Sequence, residues 1–365
     1  MTEPEERHGP GYGRASWEER CSALRERAGQ PHAGADVCTF GETMVALRGS
    51  GPLKLGGTMN VSIAGAETNV AIGLSRLGHR THWAGAVGDD EAGQLVLRTL
   101  RAEGVDVSAA AVDPDAPTGL ILFEPRLPEV TRVHYYRAGS AGSRLGASAI
   151  EGVFATAPPR VLHLTGITPA LGPAPLSAVR RALQLARQHG TLVCLDVNFR
   201  ARLWSAQDAS QVLREWMPYV DALIASDDEL PLCLPPSRMA EAAAADTGPG
   251  YARDAALAEQ AEILLDLGVG EVVVKLGADG ATAFTAGGSL HRPAQPVRAV
   301  DAVGAGDAFV AGYLSALLDG EDLAGRLGRA VTTGAFAVAS PGDWEGAPTR
   351  AELGMLGAPP GTVVR

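Results

Sequence analysis

The chain has 365 residues, 46% of them hydrophobic, enough to bury a large core as one large domain or two ordinary ones without disulfide or metal staples. Its formal net charge is -11, its only lysines are Lys54 and Lys275, and no basic block appears, which argues against a nucleic-acid surface. No apolar run is long enough to span a bilayer, and the charged start MTEPEERHGP lacks the apolar stretch of a secretory signal, so a cytoplasmic location is expected.

Residues 1–35 are polar and have little hydrophobic periodicity, so they read as a flexible or loosely helical extension, with the folded domain beginning near Asp36. Val37 to Leu47 then reads as strand, and Glu67 to Leu77 and Glu91 to Glu103 as helices. VLHLTGI (Val161 to Ile167) is a strand followed by a helix ending near His189, then come TLVCLDV to Val197 and DALIAS (Asp221 to Ser226). A helix through Leu267, the strand EVVVKLG (Glu271 to Gly277) and helices beginning near Asp307 and Leu323 complete the pattern. Strands alternating with helices predict an α/β fold, a mainly parallel sheet with helices on both faces. Two extended stretches punctuated by Gly and Pro, 43–61 and 118–137, break that rhythm and read as a small sheet projecting as a lid. Pro235 to Asp254, rich in Ala, Gly and Pro, reads as an insertion, and 351–365 as a C-terminal tail. The four cysteines lie far apart with no C-x-x-C pair, so they are expected to be free thiols.

The run DAVGAGDAFVAGYLSALL (Asp301 to Leu318) sets the turn Gly304-Ala305-Gly306-Asp307 at the mouth of an apolar helix. Small residues there let backbone approach a ligand, and free amides at a helix start favour an anion such as a developing phosphoryl charge. A carboxylate beside such an anion hole suits a general base that takes a proton from an attacking hydroxyl; the alternative is that Asp307 merely caps the helix. No Gly-Lys pair occurs, which excludes an ordinary P-loop, and Phe40-Gly41-Glu42 after the first strand is not the glycine fingerprint of a nicotinamide site.

Several spaced blocks resemble the PfkB (ribokinase-like) carbohydrate kinases, from Asp36 to about Arg350. AGAETNVAIGLSRLG (Ala64 to Gly78) with AGAVGDDEAG (Ala84 to Gly93) is similar to that family's amino-terminal pattern, and DAVGAGDAF (Asp301 to Phe309) to its carboxy-terminal one. Ser226-Asp227-Asp228-Glu229 resembles its N-x-x-E element with Ser in place of Asn, and VVVKLGADGATAF (Val272 to Phe284) its nucleotide-side strand and turn. Within the family the similarity is greatest to 2-keto-3-deoxygluconate kinases, on HYYRAGSAGSRL (His134 to Leu145), LDVNFRARLW (Leu195 to Trp204) and GDWEGAP (Gly342 to Pro348).

The resemblance implies a ribokinase-like fold and phosphoryl transfer from ATP with Mg2+ to a small sugar acid. It assigns Asp307 as base and Gly304, Ala305 and Gly306 to the anion hole, and puts Gly65, Asn69, Tyr135, Arg137 and Arg200 against the sugar. Ser226, Lys275, Gly277, Gly280 and Val331 would face the nucleotide, and Glu229 the metal and its waters. Arginine independently suits a carboxylate substrate, because its planar fork can bind both oxygens. Ile121 stands where the family pattern places a lid Tyr, and Val331 where it places an Asn near adenine. Glu42, after the first strand, could touch the sugar or hold the lid hinge. The other readings are a kinase of a neutral sugar, such as a fructokinase, or of a related deoxy sugar acid, and a non-catalytic sugar- and nucleotide-binding relative. A homodimer through the lid is expected, with neither nucleic acid nor membrane as a partner.

Overall fold

The computed structural model describes residues 16–26, 32–127, 130–237 and 251–357. In chain order its strands are β1 (Val37–Phe40), β2 (Met44–Gly49), β3 (Met59–Ala64), β4 (Thr81–Ala84), β5 (Ala86–Gly88), β6 (Ala111–Asp113) and β7 (Leu120–Leu127). They continue as β8 (Val130–Tyr136), β9 (Val161–Thr165), β10 (Leu192–Asp196), β11 (Ala222–Ser226), β12 (Glu271–Lys275), β13 (Ala281–Thr285) and β14 (Gly288–Arg292). The helices are α1 (Trp17–Glu26), α2 (Ala66–Arg76), α3 (Glu91–Ala102), α4 (Ala147–Thr156), α5 (Pro173–His189), α6 (Ala206–Trp216), α7 (Tyr251–Asp266), α8 (Ala305–Leu318) and α9 (Leu323–Val338).

One eight-stranded sheet runs β14-β13-β12-β11-β10-β9-β1-β4. From β4 to β12 every pairing is parallel, while β12, β13 and β14 pair antiparallel at one edge. The central strands β9 and β10 are buried at every position, which is why they read as unbroken apolar runs: helices cover both faces. On one face α8 is buried from Asp307 to Leu318, and its apolar residues on all sides fit a helix enclosed by α2, α9 and the sheet. Glycine permits the crossings: a methyl on Gly73 of α2 would come 2.8 Å from the Ala311 Cβ of α8, and one on Gly312 would come 2.2 Å from Thr333 Oγ1 of α9.

The lid is a separate four-stranded sheet, β3-β2-β7-β8, formed by the two extended stretches that interrupted the helical rhythm. Met44, Ala46, Arg48, Ser62, Ile121, Phe123 and Tyr135 share one of its faces by register. Val45, Leu47, Ile63 and Leu120 lie on the other and pack at the base of the lid with α2 and α3 residues. The run Val37 to Leu47, expected as one strand, is split by Gly41-Glu42-Thr43 into β1 of the main sheet and β2 of the lid. A Cβ at Gly41 would come 2.3 Å from the Glu67 carboxyl carbon, so the chain leaves the sheet where only glycine fits over a buried side chain.

The amino-terminal reading is corrected. Trp17–Glu26, expected within a flexible or loosely helical extension, is a helix that buries Cys21 and Leu24. Trp17 donates its indole N–H to Glu271, a fully buried carboxylate also bonded by Tyr313 and Arg326, and Arg20 pairs with Asp221. At the other end, Arg350–Met355, which spans the expected boundary between domain and tail, forms a 3-10 turn with a capping box between Thr349 and Glu352, and Arg350 pairs with Asp319. Most of the expected insertion lies outside the described residues, and α7 begins at Tyr251. Cys21, Cys38, Cys194 and Cys233 are free and buried. No helix among the described residues is long and apolar enough to cross a membrane.

Candidate active site

The carboxyl ends of β9, β10, β11 and β12 open on one side of the sheet, where ligands of parallel sheets bind, and the start of α8 faces them. Gly304 has φ +75, and a Cβ there would lie 1.8 Å from the Asp343 carbonyl oxygen, so the turn into α8 admits no other residue without displacing that segment. The Ala305 amide makes a long 3.4 Å contact with Ala302 O; Gly306 and Asp307 follow in the first turn, where amides have no partner inside the helix.

Asp307 does not cap that helix. Gly304 holds the cap position, and the Asp307 carboxylate accepts from Asn69 Nδ2 at 2.7 Å and from Asn198 Nδ2 at 3.4 Å. It is buried, and burial is the chief reason its pKa is pushed from 3.8 up to about 7. The Asn69 bond and the charges of Arg200 and Lys275 pull it down, while Asp196 pushes it further up. A carboxyl held near neutrality beside free amides can both accept and release a proton at working pH.

A second carboxylate stands one strand end away. Asp196 at the end of β10 is fully buried and pairs with Lys275 of β12 at 2.7 Å. Burial works against the Lys275 charge, but Asp196, Glu229 and Asp307 outweigh it and the pKa is raised, so Lys275 stays cationic. Its Nζ lies 3.6 Å from where a Gly306 Cβ would be, beside the first turn of α8. Asn198 bridges the two acids, donating to Asp196 at 3.3 Å and to Asp307, and is the one non-glycine residue with positive φ among the described residues. Sequence reading missed both Asn198 and the Asp196–Lys275 pair; the Asn directly after the strand LDV was the available signal. Glu229 is buried and accepts the Phe199 amide at 2.7 Å and the Ser226 amide at 2.9 Å, one on each oxygen, so it fastens the loop after β10 to the end of β11.

Among the residues expected against the sugar, Gly65 precedes α2 with its α-carbon packed so closely that a Cβ would come 2.6 Å from Glu42 O. Asn69 lies one turn further on the same helix. Tyr135 is 40% exposed on the lid face that carries Ile121, directly opposite it in register. Arg137 lies 5.7 Å from the Tyr135 ring centre and forms an ion pair with the buried Glu42, which also accepts from Ser140 Oγ. Glu42 thus ties Arg137 and Ser140, which follow the lid strand β8, to the segment between β1 and β2. Arg200 is exposed and donates to Phe199 O at 3.2 Å, and Arg202, two residues on, reaches Val133 O of the lid at 2.8 Å. Glu67 of α2 was not anticipated: fully enclosed, it accepts from Thr165 and Thr168 at 2.6 and 2.8 Å, and burial above all raises its pKa.

Among the nucleotide-side candidates, Ser226, Lys275 and Gly277 stand at or just beyond the ends of β11 and β12, and Ser226 Oγ donates to Asp228. Gly277 (φ +58) and Gly280 (φ +101) form the β12–β13 turn, and a Cβ on Gly280 would come 2.1 Å from Arg292 O. Val331 is buried in the apolar cluster with Phe309 and Val310. Among the described residues no cluster of three or more His, Cys, Asp or Glu side chains could hold a metal ion alone.

The model of the pfkB family of carbohydrate kinases matches residues 35–350. A 2-dehydro-3-deoxygluconokinase of Thermoproteus tenax is 35% identical over 93% of this chain and 98% of its own. The crystal structure of the Thermotoga maritima 2-dehydro-3-deoxygluconokinase superposes with a TM-score of 0.75, at 26% identity, over 89% of this chain and 98% of that one. An E. coli protein described as a ribokinase II, solved with ATP and Mg2+, superposes with a TM-score of 0.76 at 25% identity, over 88% and 98% of the two chains.

Proposed function

The chain belongs to the pfkB family of carbohydrate kinases, ATP-using phosphotransferases, and has its ribokinase-like fold; on that premise we propose that its substrate is 2-keto-3-deoxygluconate. The product is the 6-phosphate, from attack of the terminal primary hydroxyl on the γ-phosphate of ATP. The name of the Thermoproteus tenax relative supports this choice of sugar acid. The observation that carries the chemistry is the buried Asp307 carboxylate, held by Asn69 and Asn198 at the amide-rich start of α8.

In this reading Asp307 Oδ accepts the hydroxyl proton as the oxygen attacks in line, and Asn69 and Asn198 keep the carboxylate aimed at it. The amides of Gly306 and Asp307, with Ala305 once its long contact yields, receive the charge that develops on the transferred group, and Lys275 beside Gly306 adds a positive charge. Gly65 and Asn69 line the sugar cleft, Tyr135 closes it from the lid, and Arg200 and Arg137 meet the carboxylate. Ser226, Gly277, Gly280 and Val331 border the nucleotide. Glu229 fits magnesium: each of its oxygens accepts one amide and keeps a lone pair, and such ions take most ligands from water and phosphates. Glu229 would help to hold magnesium and its waters, and the ion would supply positive charge to offset that of the phosphates. The enzyme works in the cytoplasm as a dimer. Met59, Val61 and Tyr136, exposed on one lid face, support a lid-to-lid contact.

The Arg137–Glu42 ion pair favours a second reading, a neutral sugar, because Glu42 already offsets the charge of Arg137 and the pair as a whole offers a carboxylate no net attraction. Magnesium-dependent ADP release across 2-keto-3-deoxygluconate, gluconate, fructose and ribose decides between them. Release with the keto-deoxy acid, weakened by Arg200→Ala, supports the proposal. Release confined to fructose or ribose overturns it.

A further inference from the structure

We infer that Arg48 of the lid is a positioning residue for phosphoryl transfer, one guanidinium that clasps both walls of the Gly304 turn. Arg48 lies on the cleft-facing side of β2, opposite Phe123 in register, and its guanidinium carbon stacks 4.1 Å from that ring centre. From there one nitrogen reaches Asp301 Oδ2 at 3.3 Å and the other pairs with Asp343. These carboxylates flank the turn. Asp301 precedes it and accepts the Val303 amide at 3.0 Å and the Gly342 amide at 3.4 Å. Asp343 backs it, since its carbonyl oxygen is the atom a Gly304 Cβ would strike. The same segment is fastened to the lid twice more, by Ser62 Oγ donating to Glu345 at 2.7 Å and by the Trp344 indole donating to Ile63 O at 3.2 Å.

The chemical logic is charge and shape together. Asp343 is 6% exposed and shares its surroundings with Asp301 and Glu345, so three acids gather behind the turn that must receive an anion. A planar cation with two donor edges offsets that charge and fixes the distance between the walls, which a single-point ammonium cannot do. Closure of the lid and placement of the Gly306 and Asp307 amides thus become one event. A small displacement of a preorganised site is costly in rate, and the loss falls on the chemical step rather than on binding. The inference rests on the reading that the turn and Asp307 perform the chemistry, so the test includes Asp307→Asn.

The experiment compares Arg48→Ala, Arg48→Lys, Asp343→Asn and the Arg48→Ala/Asp343→Asn pair, with the sugar the wild type turns over, after thermal melts establish folding. Arg48→Ala is expected to lower kcat by roughly tenfold to a hundredfold, with KM for sugar and ATP moving by less than about threefold. Arg48→Lys, which keeps bulk and charge and carries the test should the alanine variant not fold, is expected to recover only part of the loss. Asp343→Asn is expected to cost less in the Arg48→Ala background than alone, because both changes open the same clasp. Wild-type kcat in Arg48→Ala or Arg48→Lys, a loss confined to KM, or independent losses in the pair would each overturn the inference. A silent Asp307→Asn beside a slow Arg48→Ala would instead unseat the base and leave the clasp standing.

Discussion

Asp307→Asn is expected to make the protein more stable at pH 8 while it removes the base. Burial raises the carboxyl from 3.8 to about 7 in the folded chain, which corresponds to about 4 kcal/mol of unfavourable ionisation at pH well above 7. The sign follows from proton uptake: between the two pKa values the folded chain holds the proton and the unfolded chain does not. The favourable contribution of this group is therefore full below 3.8 and is lost as pH rises through about 7. Asparagine carries no charge at either pH, so it escapes that loss. It keeps one oxygen for Asn69 Nδ2 but turns an amide toward Asn198 Nδ2, a mismatch of about 1 to 2 kcal/mol. The net gain at pH 8 is about 2 to 3 kcal/mol, and it vanishes near pH 4. Urea denaturation of both proteins at the two pH values measures it. Equal stability at pH 8, or a gain that persists at pH 4, would refute the account of a carboxylate strained by burial.

In the proposed mechanism the same group acts as a carboxylate, so kcat/KM should rise with pH through about 7 and then level, and a profile flat from pH 5 to 8 would contradict it. Arg137→Ala leaves Glu42 buried without its partner and should cost about 3 to 5 kcal/mol; Arg137→Ala with Glu42→Gln should cost less, as urea midpoints would record. Deleting residues 1–31 strips α1 from the core, exposing what Cys21 and Leu24 covered and taking one donor from the buried Glu271. A loss of at least about 3 kcal/mol in thermal or urea unfolding is expected, and unchanged stability would show that the helix is dispensable.

The Gly304–Asp307 turn was legible because its chemistry is local: small residues, a carboxylate and an apolar helix lie within one short run. The lid was legible because its strands break a helical rhythm. Asp196 with Lys275 was not, since the partners lie 79 positions apart and only the order of β10, β11 and β12 brings them together. Asn198 escaped because its value depends on a positive φ that a sequence does not display. Helix α1 was underestimated because its hydrophobic signal rests on few residues, while its anchoring runs through Trp17, Arg20 and distant acids. Arg137 has a partner, Glu42, that spacing could not reveal.

The most direct test of the central claim is turnover of 2-keto-3-deoxygluconate by wild type and Asp307→Asn side by side, with the product identified by phosphorus NMR. The account predicts the 6-phosphate from the wild type and a variant slower by roughly a hundredfold to ten-thousandfold, with the sugar KM little changed. A variant that forms the same product at close to the wild-type rate would contradict it.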